Sequence, residues 1–175
     1  MKIVNLGEEN SALNSFIQEI RDINIQKDSM RFRRNLERIG EVFAYEISKI
    51  LTYSNKEVIT QLGIANCSTY DNQIVIASIM RAGLPLHNGI LNIFDKSQNA
   101  FIAAYRKYGK DNKFSIQIEY ASSPSISDKT LILADTMLAT GSSLVLTYKK
   151  LCETATPEHT HVVCPIASKD GIEYL

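Results

Sequence analysis

Asp135 is followed four residues later by the small, hydroxyl-rich run Ala139-Thr140-Gly141-Ser142-Ser143. A turn of this composition aims several backbone N–H groups at one point, and a helix starting there adds the positive end of its dipole. The natural occupant of such a cradle is a phosphate group. The carboxylate just upstream suits sugar hydroxyls or a hydrated metal ion. The stretch has no Gly-Lys-Ser/Thr after four variable residues and no Gly-x-Gly-x-x-Gly, so ATPase and dinucleotide readings are weak.

The elements that must hold this turn are legible around it. Leu131 to Ala134 is an apolar run that reads as a buried strand, and Leu144, Tyr148 and Leu151 recur at helical spacing behind the turn. Ile74 to Ile79 is apolar and β-branched, as a parallel strand covered on both faces must be. Arg81 then falls at the C-terminal edge of that strand, where open α/β sheets bind ligands. A third apolar run, Ala100 to Ala104, leads into Tyr105-Arg106, and Lys107, Lys110 and Lys113 make the following stretch basic. Phe114, Ile116, Ile118 and Tyr120 alternate with polar residues, which predicts a strand with one covered face. With the turn-prone Gly109-Lys110-Asp111-Asn112 before it, this suggests a β-arm.

Two amphipathic helices are expected before the sheet. Leu13, Phe16, Ile17, Ile20 and Ile23 mark the first; Phe32, Leu36, Ile39, Phe43, Ile47 and Ile50 mark the second. Arg31, Arg33, Arg34 and Arg38 cluster before and along the second helix and read as a solvated face. His159-x-His161 opens the apolar run Val162 to Ala167 and reads as two residues on one face of a strand rather than a metal pair.

Composition bounds the rest. A chain of 175 residues with 45% hydrophobic residues predicts one domain with a substantial core. Zero net charge argues against a dedicated nucleic-acid or membrane surface. Cys67, Cys152 and Cys164 are odd in number and widely spaced, so they read as reduced thiols rather than disulfides or a zinc site. No signal peptide or membrane span is visible, and a cytoplasmic location is expected.

Three motifs carry a resemblance to a known family. Asp135-x-Met137-Leu138-Ala139-Thr140-Gly141-x-Ser143 resembles the phosphoribosyl-diphosphate (PRPP) binding motif of type I phosphoribosyltransferases, in the form of their uracil branch. Ile79-Met80-Arg81-Ala82-Gly83-Leu84 resembles that family's Leu-Arg-Ala-Gly-Leu loop, and Tyr105-Arg106 matches a second arginine of the family. Phe32-Arg33 and Tyr45-Glu46 fall where the family has a similar amphipathic helix. The likeness runs from about residue 30 to residue 172.

The resemblance implies an α/β fold: a mostly parallel sheet flanked by helices, with a β-arm that folds over the active site or a neighbouring subunit. It implies transfer of ribose 5-phosphate from PRPP to uracil, giving UMP and pyrophosphate in pyrimidine salvage. The residues implied to bind PRPP are Arg81, Ala82, Gly83, Arg106, Asp135, Thr136, Met137, Leu138, Ala139, Thr140, Gly141, Ser142 and Ser143. Arg81 and Arg106 would stabilise the departing diphosphate, and Asp135 would hold the ribose hydroxyls directly or through the hydrated metal. Mg2+ is expected to arrive with PRPP, with no dedicated protein ligand cage. A homodimer or larger homo-oligomer is expected, and the basic helix is a candidate for subunit contacts or a purine nucleotide effector such as GTP.

Several positions depart from the family's pattern. Thr136 stands where the uracil branch has proline, and Ser142 replaces a usual glycine, which is tolerated unless the position needs positive φ. Tyr120-Ala121-Ser122-Ser123-Pro124 stands in place of a lysine-leucine-proline after the arm, so no lysine contact carries over. The family's Gly-rich uracil-reading stretch is absent before Leu175, and the base-binding segment is expected beyond that residue. The competing readings are a phosphoribosyltransferase for another base and a non-catalytic regulator of the same fold that senses PRPP or nucleotide and binds messenger RNA. Salt-dependent RNA binding would separate the last from an enzyme.

Overall fold

The computed structural model describes residues 1–108 and 114–175, with side chains omitted at 106–108 and 114–116. The turn-prone Gly109 to Asn112 and the lysines at 110 and 113 lie outside the described residues. Chain order runs α1 (Ala12–Arg21), α2 (Ser29–Ser48), β1 (Tyr53–Thr60), β2 (Gly63–Tyr70), β3 (Ile74–Met80), α3 (Leu84–Ile93), β4 (Gln98–Tyr108) and β5 (Phe114–Ser122). It continues with β6 (Thr130–Ala134), β7 (Met137–Leu138), α4 (Ser142–Leu151), β8 (His159–Val163), β9 (Ile166–Ala167) and α5 (Lys169–Tyr174).

The central sheet has the order β5-β4-β3-β6-β8, with β4, β3, β6 and β8 parallel and β5 antiparallel at one edge. Strand alternation explains why helices must cover both faces. Ile74, Ile76, Ile132 and Ala134 pack with Leu36, Ile39, Leu86 and Ile90 of α2 and α3. Val75, Ala77, Ile79, Leu131 and Leu133 point the other way and pack with Leu144 and Leu151 of α4. Burying all of these at about 1.5–3 kcal/mol for each large aliphatic side chain supplies the main drive for the fold.

Helix α2 is held unusually close to α3. A Cβ added at Gly89 would lie 1.9 Å from the Glu37 carbonyl oxygen, and one at Gly40 would lie 2.4 Å from that of Leu86. Only glycine permits this backbone-to-backbone approach, which fixes α2 beside the loop that precedes α3. Asp28 caps α2 by accepting from the N–H groups of Met30 and Arg31, both at 3.0 Å.

The two expected helices form, but Ile23 and Ile50 lie past their ends and are largely exposed. The expected hairpin also forms: β5 pairs with β4 from Tyr108↔Phe114 to Phe101↔Ser122. A bulge shifts its register, since Ile118 faces Ala104 whereas Tyr120 faces Ala103. The skipped residue, Glu119, moves Tyr120 off the face that covers Ile118, and Tyr120 is 54% exposed.

A second hairpin, β1–β2, has no counterpart in the sequence reading. It pairs from Tyr53↔Tyr70 to Thr60↔Gly63 and joins no other strand. Its far end is uncovered, with Ile59, Leu62 and Ile64 exposed, whereas Tyr70 at its base packs edge-on against buried Phe94. Among the described residues no helix is long and apolar enough to cross a membrane.

Candidate active site

The parallel strands deliver their C-terminal ends to one edge of the sheet. From β3 the chain passes to α3 on one face; from β6 it passes to α4 on the opposite face. The loops after these neighbouring strands diverge, and a crevice opens between them, the place where open α/β sheets bind ligands. Arg81 follows β3 and Asp135 follows β6, so the two residues stand on adjacent strand ends.

The carboxyl of Asp135 is half-buried. Burial raises its pKa above the usual carboxylate range, and N–H donation from Thr136 and Met137 partly offsets that rise. The Thr136 N–H donates to Asp135 Oδ1 at 2.7 Å, which orients the carboxylate. Cys164, just past β8, has its thiol pushed up to about 12 by burial and by the negative charge of Asp135. It is therefore a neutral thiol beside the carboxylate rather than a nucleophile.

Behind Asp135, Met137 and Leu138 form β7, pairing in parallel with Ile166 and Ala167 of β9. Ala139 and Thr140 are exposed at the crest of the turn. Gly141 has φ +75° and serves as N-cap of α4, so the left-handed position falls on the glycine. Ser142, where the family's glycine is replaced, is the first helical residue; among the described non-glycine residues only Asp128 has positive φ. No side chain caps α4. The N–H groups of its first turn have no intrahelical partner and remain available for an anion.

The loop after β3 is built differently. The Met80–Arg81 peptide bond is cis, Arg81 and Ala82 are exposed, and Gly83 is buried as the N-cap of α3. An open cavity of about 650 Å³ lies beside it, within the size range of small-ligand sites. Arg81, Ala82, Asn88 and Thr136 line it together with Phe32, Arg33 and Arg34 of α2. The structure divides the arginines of α2, which the sequence expects on one solvated face. Arg31 pairs with Glu19 and Arg34 with Glu37, both at 2.7 Å, and Arg38 stacks 5.3 Å over the Phe16 ring. Arg33 has no ion-pair partner among the described residues and faces the cavity. Its signal in the sequence was there in Phe32-Arg33, but nothing local ties it to Arg81, 48 residues away.

Arg106 has its backbone in β4, opposite Ile116 of β5. The last β3–β4 pair is Met80↔Ala103, so Arg106 sits about 10 Å farther along a strand that outruns its neighbour. His159 and His161 lie on β8, and burial with the charge of His159 lowers the pKa of His161. Among the described residues no group of three His, Cys, Asp or Glu side chains could hold a metal ion, and the three cysteines are free.

A mostly parallel sheet flanked by helices, with Asp135 and its turn beside the Arg81 loop on adjacent strand ends, is the type I phosphoribosyltransferase fold. The structure superposes on a hypoxanthine phosphoribosyltransferase from Staphylococcus aureus with a TM-score of 0.57 at 13% identity, over 79% of this chain and 66% of that one, a likeness of fold alone. With the AQ2163 protein from Aquifex aeolicus the TM-score is 0.81 at 25% identity, over 94% of this chain and 78% of that chain. The family model described as uracil phosphoribosyltransferase matches residues 8–175. A protein named uracil phosphoribosyltransferase from Porphyromonas gingivalis is 52% identical over 175 residues, which is all of this chain and 81% of that protein. The chain belongs to the uracil phosphoribosyltransferase family.

Proposed function

We propose that this protein transfers the 5-phosphoribosyl group of PRPP to uracil, forming UMP and pyrophosphate. The observation that supports this most is the pairing of Asp135 and the phosphate turn with Arg81 across neighbouring strand ends in a chain of this family. The reaction needs no protein nucleophile. Its C1–O bond breaks largely before the base attacks, so the transition state resembles a ribosyl oxocarbenium ion and charge accumulates on the departing diphosphate. Positioning and preorganised charge are then the means of catalysis.

In this reading the first-turn N–H groups of α4, with Ala139 to Ser143, cradle the 5′-phosphate. Asp135 accepts hydrogen bonds from the ribose hydroxyls, fixing the sugar against the sheet edge. Arg81, with Ala82 and Gly83 forming its loop, and Arg106 neutralise the diphosphate. Thr136, Met137 and Leu138 carry the chain between carboxylate and cradle. A magnesium ion would be held by substrate oxygens and water with no direct protein ligand, and Asp135 would meet the ribose hydroxyls directly or through that hydrated ion. Bound there, the ion would neutralise diphosphate charge. No residue of this sequence is assigned to the base.

Finer readings go with this proposal. Residues 1–175 act as a single phosphoribosyltransferase domain in the cytoplasm. The exposed far end of the β1–β2 hairpin suits a homodimer or larger assembly, and the arginines beside the cavity suit a purine nucleotide effector. The test is conversion of labelled uracil to UMP by the protein from its native gene, with PRPP and magnesium. Conversion is the expected outcome. PRPP binding without conversion would shift the reading to another base or a sensor, and failure of both would sink it.

A further inference from the structure

We infer that Ser168, with the helix α5 that it caps, is a positioning residue for the phosphate turn and sets the direction in which the turn's N–H groups point. This rests on the reading that the turn binds the 5′-phosphate of PRPP. Inside the turn itself little fixes the backbone. Ala139 and Thr140 are exposed, α4 has no side-chain cap, and the Thr140 hydroxyl reaches only the Ser142 hydroxyl, at 3.2 Å.

The fixing contacts come from far along the chain. Ser168 continues the β7–β9 pairing by donating its N–H to the Leu138 carbonyl at 2.8 Å. Its hydroxyl donates to the Ala139 carbonyl and accepts the Gly171 N–H at 2.9 Å, so one side chain both caps α5 and grips the turn. Gly171 lies flat against the same peptides: a Cβ there would be 2.7 Å from the Ala139 oxygen and 2.9 Å from the Leu138 oxygen. The ring of Tyr174 closes over the end of the turn, since a Cβ at Gly141 would be 2.9 Å from Tyr174 Cδ1.

The consequence follows from peptide geometry. In a planar trans peptide the carbonyl and the next N–H point in opposite directions. Holding the Ala139 oxygen toward Ser168 therefore directs the Thr140 N–H away from Ser168 and α5. Without that grip the peptide plane can rotate, and the N–H turns with it. Ser168 touches no substrate in this account; it acts through the backbone of residues 139 and 140.

The test separates the two ends of the substrate. Affinities for ribose 5-phosphate and for pyrophosphate with magnesium are measured by calorimetry, alongside uracil turnover, for the wild type, Ser168→Ala, Ser168→Thr and Gly171→Ala. Ser168→Ala should weaken ribose 5-phosphate and raise KM for PRPP by about three- to tenfold, the range that one hydrogen bond supports. Pyrophosphate affinity and kcat should stay near wild type, and Ser168→Thr, which keeps the hydroxyl, should restore the lost affinity. Gly171→Ala, if folded by its melting curve, should show the same split. Unchanged ribose 5-phosphate affinity in Ser168→Ala would overturn the inference, and so would an equal loss of both ligands accompanied by a lower melting temperature. If the wild type binds neither ribose 5-phosphate nor PRPP, the phosphate reading itself fails and this inference falls with it.

Discussion

The turn after β6 and the loop after β3 stand side by side at one sheet edge and are built by opposite means. The turn offers backbone N–H groups, carries its left-handed residue on Gly141, and is braced by Ser168, Gly171 and Tyr174. The loop offers the long exposed side chain of Arg81 above an open cavity, with Arg33 of α2 opposite. A group that stays put through the reaction is suited to a rigid cradle, whereas a group that departs is suited to charged arms that can follow it. Under the proposed function, the turn suits the 5′-phosphate of PRPP and the loop suits its diphosphate.

The sharpest break in this contrast is Arg81→Ala. It should lower kcat by about a hundred- to a thousandfold, the usual loss for a preorganised charge-stabilising donor. Its melting temperature should stay close to wild type, because the side chain is exposed; an equal loss of stability without a specific rate loss would remove Arg81 from the chemistry. Asp135→Asn comes next, with kcat/KM for PRPP lowered about ten- to a hundredfold by loss of a charged acceptor.

The same substitution carries a pH signature. Because the folded pKa of Asp135 is raised by burial, the native state binds its proton more tightly than the unfolded chain. Its ionisation costs stability as pH rises through the folded pKa, and that cost is absent below the unfolded value. Asp135→Asn should therefore raise the melting temperature at pH 7 but not at pH 3, while wild-type activity falls on acidification at a pH above the ordinary carboxylate range. A melting temperature lowered equally at both pH values would contradict the assignment.

Gly141→Ala tests the rigid side of the contrast. A left-handed φ with a Cβ costs about 1–2 kcal/mol, and the contact with Tyr174 adds to it. Stability by denaturant titration should fall by about that much, and KM for PRPP should rise more than kcat falls. Arg33→Ala is the mildest change. A solvent-exposed charge beside the diphosphate should raise KM for PRPP only about two- to threefold, with the effect shrinking at high salt. A tenfold or larger loss of kcat would move Arg33 into the catalytic machinery.

Much of this was legible in the residues. Apolar runs of four to six residues announced β3, β4 and β6, because strands covered on both faces admit few polar side chains. The turn announced itself by its small and hydroxyl-bearing residues, and Ser142 proved compatible because it starts the helix rather than carrying positive φ. Other features left no local trace. Most of the β1–β2 hairpin projects beyond the core with large apolar residues exposed, so no buried face marks it, and the Glu119 bulge reverses the face of Tyr120 without changing the apparent pattern.

By itself, then, the sequence determined β3 to β6, the helices α1, α2 and α4, and the carboxylate with its turn, since periodicity and local backbone preference act over a few residues. Only the tertiary structure decided what stands against them. It seated α2 on α3 through Gly40 and Gly89, bringing Arg33 to Arg81, and it folded Ser168 back onto Ala139. Such contacts join residues dozens of positions apart, and they are fixed by the shape of the packed core rather than by any motif along the chain.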